Sequence, residues 1–186
     1  MNVMISERAL RPASARSNAD ATAETISYGT AESALGRVLI ARSTSGVCAI
    51  LLGGAKLEAD LATRFPKANI VADESVVRDD LARVVRFVDK PSEGLCLSLD
   101  MRGTPFQRRV WEKLRAIPAG RTATYMELAR WISPLASPRA VASACAANPI
   151  ALAVPCHRVV RSNGDLAGYR WGLERKRELI RKEAMI

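Results

Sequence analysis

Two capping boxes, at Thr104 and Thr124, constrain this chain more than any other feature. Thr104-Pro105-Phe106-Gln107 sets a hydroxyl at the N-cap, proline at the first helical position and glutamine three residues on. The helix it opens carries Val110, Trp111, Leu114 and Ile117 on one face and stops at Pro118-Ala119-Gly120. Thr124-Tyr125-Met126-Glu127 repeats the device and opens a helix through Leu128 to Ile132. Ser137-Pro138 opens a third helix, Arg139 to Ala147, which ends at Asn148-Pro149. The last two, joined by a short Ser/Pro turn, have the layout of a helix-turn-helix. The third helix is nearly all Ala, Ser and Cys after Arg139, so its backbone can approach a neighbour closely.

The first half reads differently. Residues 1–25 lack periodicity and are expected to form a flexible tail. Order is expected from Ile26. Gly36 to Ala41 and Val47 to Leu52 read as strands joined by a Thr44-Ser45-Gly46 turn. Lys56 to Phe65 reads as a short helix stopped by Pro66, and Val76 to Val88 as a longer amphipathic one. Leu95 to Leu99 alternates like a strand. The chain therefore divides into a tail (1–25), a small α+β unit (26–100) and a mainly helical unit (101–186).

Charge is segregated along the same boundary. Residues 1–100 hold 12 Lys+Arg and 13 Asp+Glu; residues 101–186 hold 16 and 6. A basic second half favours a polyanionic partner, with nucleic acid foremost. No apolar run is long enough to span a bilayer and no secretory leader is evident, so a cytoplasmic, nucleoid-associated chain with no membrane contact is expected. Four cysteines (48, 96, 145, 156) and one histidine give no metal-ligand spacing and no disulfide framework.

Chemistry concentrates in Ile150 to Val160. An apolar run leads to Pro155, which fixes the backbone before Cys156; the only histidine, His157, and then Arg158 follow. A thiol attacks as its thiolate, and an adjacent base or cation raises that population. A carboxylate on the C-terminal helix would orient His157, with Glu174, Glu178 and Glu183 as candidates that spacing does not separate. Cys48, Cys96 and Cys145 sit in apolar patterns and are assigned to packing.

These residues resemble a known family. Pro155-Cys156-His157-Arg158-Val159 matches the active-site signature of the O6-alkylguanine-DNA alkyltransferases, or methylated-DNA–protein-cysteine methyltransferases. Gly103 to Gln107 with Val110-Trp111, Ile117 to Gly120 with Thr124-Tyr125, and Arg139 to Pro149 are similar to the family's helices and Asn hinge. Gly168-Tyr169-Arg170-Trp171-Gly172 is close to the methyltransferase half of the bacterial adaptive-response protein.

The resemblance implies an α+β fold: a small ribonuclease H-like N-terminal α/β domain and a helical C-terminal domain with a winged-helix-like helix-turn-helix. It implies that an alkylated guanine is flipped from duplex DNA and that Cys156 takes the alkyl group once, irreversibly. O4-methylthymine is a further expected substrate. His157 would take the thiol proton through water, and Glu183 would orient it. Tyr125 would press on the phosphate and bond the departing base; Asn148 would brace the turn. Arg139 would enter the base stack from the minor groove, with Ala140, Ser143 and Arg158 also at the DNA, largely without sequence preference. Pro155, Val159, Tyr169, Arg170 and Trp171 would form the base pocket, the Trp171 indole narrowing it against alkyl groups larger than methyl.

No cofactor and no metal are implied, and a monomer is expected. The regulatory half of the adaptive-response protein has no counterpart in the sequence, so a stand-alone repair protein is expected. Two rivals stand beside this reading. A non-enzymatic DNA-binding module would leave Cys156 merely buried, and a cysteine hydrolase would turn over a small ester or amide.

Overall fold

The computed structural model describes residues 23–186. The expected tail lies almost wholly outside them. Four strands form one sheet: β1 (Thr25–Ala31), β2 (Arg37–Ser43), β3 (Gly46–Gly53) and β4 (Asn69–Ala72), in the order β3-β2-β1-β4. β1, β2 and β3 run antiparallel as hairpins, while β4 returns beside β1 in parallel, Ile26 opposite Ile70. The return is possible because α1 (Leu57–Arg64) carries the chain back across the sheet.

α2 (Glu74–Asp89) starts on Asp73, whose carboxylate caps Ser75 N, and lays Val77, Leu81, Val84 and Val88 on β1 and β2. β2 and β3 are buried on both faces, which is why Val47 to Leu52 reads as a continuous apolar run rather than an alternation.

The helical half follows its caps. Thr104 and Gln107 bond reciprocally at the start of α3 (Pro105–Arg115), and Thr124 and Glu127 at the start of α4 (Tyr125–Ile132). Ser137 Oγ accepts from Ala140 N to start α5 (Pro138–Ala147). Trp111, 1% exposed, holds α3 to α5: its Nε1 donates to Ala144 O at 2.9 Å. α6 (Leu173–Glu183) closes the chain. One hydrophobic cluster runs through both halves, from Ile26 and Ile50 to Leu128 and Leu179.

Two expectations fail in Leu95 to Leu99. The segment builds no strand; its only backbone pairing is with Val47, which donates to Ser98 O and accepts from Asp100 N. Leu95, Leu97 and Leu99 touch the core while the residues between face out, which imitates strand alternation without a ladder. Cys96 lies on that outward side and is exposed, not packed.

Gly120 is the turn position on which α6 depends. Its φ of +74° lies in the left-handed region, and a Cβ there would stand 2.9 Å from Glu183 O. Gly120→Ala is expected to cost about 2 kcal/mol, or a Tm loss of about 4–8 °C in thermal unfolding. Gly54→Ala, where a Cβ meets nothing within 4 Å, should leave Tm nearly unchanged.

Candidate active site

Asn148 ends α5 and organises everything after it. Its Oδ1 accepts from Ile150 N (2.9 Å), and its Nδ2 donates to Val154 O (2.8 Å) and reaches Cys156 Sγ (3.4 Å). Ile150 then pairs with Ile50 of β3, pinning the turn to the sheet. Leu152 sits at φ +67°, a left-handed conformation that a branched residue holds only when its surroundings impose it. Cys156 to Arg158 form a single 3-10 turn, and Val159–Val160 (β6) pairs in parallel with Ala123–Thr124 (β5). That two-residue ladder brings Tyr125, the first residue of α4, to the cavity where Cys156 lies.

Cys156 is 6% exposed and lines a cavity of about 450 Å3 together with Tyr125, Cys145, Arg161, Tyr169 and Arg170. Burial pushes its thiol up to about 11, against the downward pull of the Asn148 amide and the Lys176 ammonium. His157 is fully buried behind it. Its Nε2 meets Glu183 Oε1 at 2.9 Å, and Nδ1 has no protein partner. With Glu183 ionised, Nε2 carries the proton and Nδ1 keeps the lone pair.

Burial lowers the His157 pKa, and Glu183 opposes it only in part, so the ring rests neutral. Glu183 is itself pulled down to about 2, because bonds from His157 and Arg158 outweigh its burial. Arg158 grips both carboxylate oxygens through Nε (2.8 Å) and Nη2 (2.9 Å) and reaches Ile117 O through Nη1.

Several expected residues meet here. Cys156, Tyr125, Tyr169 and Arg170 line one cavity; burial holds the Tyr125 hydroxyl up at about 12, so it stays protonated. Arg139 and Ser143 are exposed, four residues apart on one face of α5, and Ala140 is half-buried beside them.

Others are placed differently. Arg158 is buried and fully engaged with Glu183, so it offers no phosphate contact. Pro155 lines a separate cleft with Ile117 and Leu152. Val159 is buried, its carbonyl already accepting from Lys176 Nζ at 2.6 Å. Trp171 is buried edge-on against Tyr169, ring centroids 5.1 Å apart, and it is Tyr169 that lines the cavity. The indole therefore does not narrow the pocket directly.

Lys176 escaped the sequence reading. It is wholly buried, its Nζ bonded only to the carbonyls of Val159 and Ala167. The signal was the phase of α6: Lys176, Leu179 and Glu183 fall on one inward face, whereas Glu174 faces solvent. The same phase singles out Glu183 among the three carboxylates. Among the described residues no group of three His, Cys, Asp or Glu could hold a metal ion.

The two depressed pKa values set an acid response. Below 6.5 the unfolded chain protonates His157 while the folded one resists, and below 4.5 the same holds for Glu183 down to about 2. In both windows the unfolded state binds the extra proton, so stability falls as pH falls. Glu183→Gln should be less stable than wild type at pH 7. Its loss between pH 4.5 and 2 should be smaller than wild type's by about 3 kcal/mol, read from urea unfolding at each pH. Parallel curves for the two proteins would contradict this assignment.

The chain is similar to known proteins in sequence and fold. Residues 105–185 match the family described as 6-O-methylguanine DNA methyltransferase, DNA binding domain. The chain is 46% identical over 161 residues to the bifunctional transcriptional activator/DNA repair enzyme Ada of Escherichia coli, covering 86% of this chain and 46% of that protein. It thus spans a little under half the length of that relative. The methylated-DNA–protein-cysteine methyltransferase of Candida albicans is 37% identical over 121 residues, 64% of this chain and 68% of that one. The fold matches that of Mycobacterium tuberculosis OGT in complex with DNA with a TM-score of 0.67 at 32% identity, over 86% of this chain and 93% of that chain. The R37K variant of the same protein aligns over the same shares at 33% identity and a TM-score of 0.68. On these identities and coverages, the chain belongs to the O6-methylguanine-DNA methyltransferase family.

Proposed function

We propose that this chain repairs duplex DNA by moving the methyl group of O6-methylguanine onto Cys156 Sγ, once and irreversibly. The observation that carries the reading is a buried His157–Glu183–Arg158 network directly behind a thiol that faces an open cavity. The thiol proton passes to His157 Nδ1, directly or through a water, and Glu183 stabilises the resulting imidazolium. Sulfur then attacks the methyl carbon; the S–C bond forms, the C–O6 bond breaks and its electrons stay on guanine. Tyr125, held protonated, donates a hydrogen bond to the departing base.

The base must leave the stack to reach a thiol this deep, so flipping belongs to the reading. Arg139, exposed at the start of α5, fills the vacated place from the minor groove, while Ser143 and Ala140 follow along the same helix. Asn148 braces the turn and bonds the thiol. The Val159 carbonyl retains one lone pair for the flipped base, and Pro155 acts on the pocket only by fixing the backbone before Cys156. O4-methylthymine fits the same chemistry, since its alkyl group also sits on a ring-bound oxygen. Contacts rest on phosphates and carry little sequence preference.

The finer fold reading is part of this proposal. The β3-β2-β1-β4 order with β1 and β4 parallel suits a ribonuclease H-like first domain (26–100), and the β5–β6 pair beside α4 and α5 suits a winged-helix-like second (101–186). A monomer acting in the nucleoid completes it; no helix among the described residues is long and apolar enough to cross a membrane.

Intact mass after incubation with a duplex holding one O6-methylguanine tests the reaction. A gain of about 14 Da on the Cys156 peptide, absent in Cys156→Ala, is the expected result for a covalent acceptor. No gain with lesion binding retained would leave only a DNA-binding module. A second expectation concerns Lys176. Lys176→Met keeps the length but removes the cation, so the Cys156 pKa should rise above about 11 in the pH profile of iodoacetamide labelling. Methyl transfer should slow by about tenfold for each unit of that rise.

A further inference from the structure

The loop between β6 and α6 carries two arginines that the reaction does not use. Arg161 opens it and Arg170 lies near its end, and both line the cavity that holds Cys156. A tight turn, with Arg161 N donating to Asp165 O and Gly164 N to Arg161 O, both at 2.9 Å, folds the start of the loop back on itself. The loop's one carboxylate, Asp165, accepts from Asn163 Nδ2 at 2.6 Å. Among the described residues no Asp or Glu lines the cavity, so the two guanidinium groups are its charged members at neutral pH.

Exposure sorts the cavity into a floor and a rim. Cys145, Cys156 and Ala167 are buried, whereas Arg161, Gly168 and Arg170 are exposed. Pro138, exposed on the same lining, is the first residue of α5, which adds the positive end of that helix to the rim. A base whose O6 substituent reaches the Cys156 thiol stays tied through its sugar to the backbone. The phosphates on either side of it carry charge that is costly to bury unpaired. The tether therefore leaves them at the rim, and a guanidinium fork matches the geometry of their oxygens.

We propose that Arg161 and Arg170 hold the two phosphates that flank the flipped nucleotide, a contact that forms only once the base is in the cavity. The inference rests on the methyl-transfer reading, which supplies that base. It gives Arg170 the backbone as its ligand in place of the base, and it gives Arg161 a part in holding the extrahelical state.

The test uses the full chain and a duplex with one O6-methylguanine, with single neutral methylphosphonates placed in turn along the lesion strand. Arg161→Gln and Arg170→Gln, both exposed substitutions, are each expected to bind it about tenfold more weakly, with a log Kd against log salt slope shallower by about 0.9. Wild type should weaken most when the neutral linkage lies directly on either side of the methylated guanine. Each variant should become indifferent at one of those two positions. With an undamaged duplex of the same sequence the loss in each variant should be smaller, because fewer bases are flipped. Wild-type affinity and slope in either variant would overturn the proposal. So would equal losses on damaged and undamaged duplex, or indifference only at positions away from the lesion, since both would make these arginines general backbone contacts.

Iodoacetamide labelling of Cys156 needs no phosphate and should run at the wild-type rate in both variants. Labelling that slows in step with binding would mean that the arginines shape the cavity wall, and would also overturn the proposal. Mass gain on Cys156 is read in the same samples. Its absence in wild type defeats the methyl-transfer reading, whereas its presence with an unaltered methylphosphonate pattern in either variant defeats only the phosphate contacts.

Discussion

The Glu183 carboxylate is the interaction on which the rest of the site depends. It is 2% exposed, yet it stays ionised because two oxygens take three bonds, one from His157 and two from Arg158. A buried charge is tolerable only when paired and hydrogen-bonded throughout, and Arg158 supplies that condition while extending to Ile117 O. The network joins the last residue of α6, the 3-10 turn that holds Cys156 and the end of α3. Removing Glu183 or Arg158 would strand the other's charge in the core. Its rigidity lets a neutral imidazole keep one tautomer, with Nδ1 left as the basic nitrogen.

Around the thiol two forces oppose each other. Burial disfavours the thiolate, and burial is needed because water would compete with any reaction at the sulfur. Asn148 and Lys176 counter it with a hydrogen bond and a cation that touches no carboxylate among the described residues. A buried ammonium bonded only to carbonyls is itself held below its ordinary pKa. It gains most when a thiolate forms nearby, so the ammonium and the thiolate favour each other's charge. Cys145 lines the same cavity without an amide donor, and its thiol is pushed up further still. The two neighbouring cysteines differ in that the Asn148 amide lowers the Cys156 thiol, while the Cys156 charge adds to burial in raising that of Cys145.

Local signals made the helical half legible. Thr104 and Thr124 satisfy their own helix starts within four residues, so those helices are visible without tertiary context. Cys156 and His157 were legible as a pair for the same reason, being adjacent in sequence. The short β5–β6 ladder was not, because two residues carry no period and their pairing spans a long stretch of chain. Leu95 to Leu99 misled because alternation reports which side faces the core, not whether a ladder forms. Arg158 misled because charge in a basic segment suggests a surface, while only packing reveals that Glu183 claims it. Trp171 misled because residue size indicates bulk but not which wall it stands behind; Tyr169 stands nearer the cavity.

The near-neutral sheet half then needs a physical reason to accompany a basic helical one. Helix α6 carries both Lys176 and Glu183, and it is held from the sheet side at two points: Arg175 on Leu35 O and Lys182 on Val88 O. Ile50 pins the turn before Cys156 from β3. The sheet half therefore fixes the helix that sets the charge around the thiol and the turn that presents it. A core continuous across both halves transmits that restraint, because close-packed interiors move as units and do not deform gradually. Attraction of a polyanion can be left to the basic helical half. The restraint on the thiol comes from the half with almost no net charge, which adds little field to the balance that Glu183, Arg158 and Lys176 strike within the helical half.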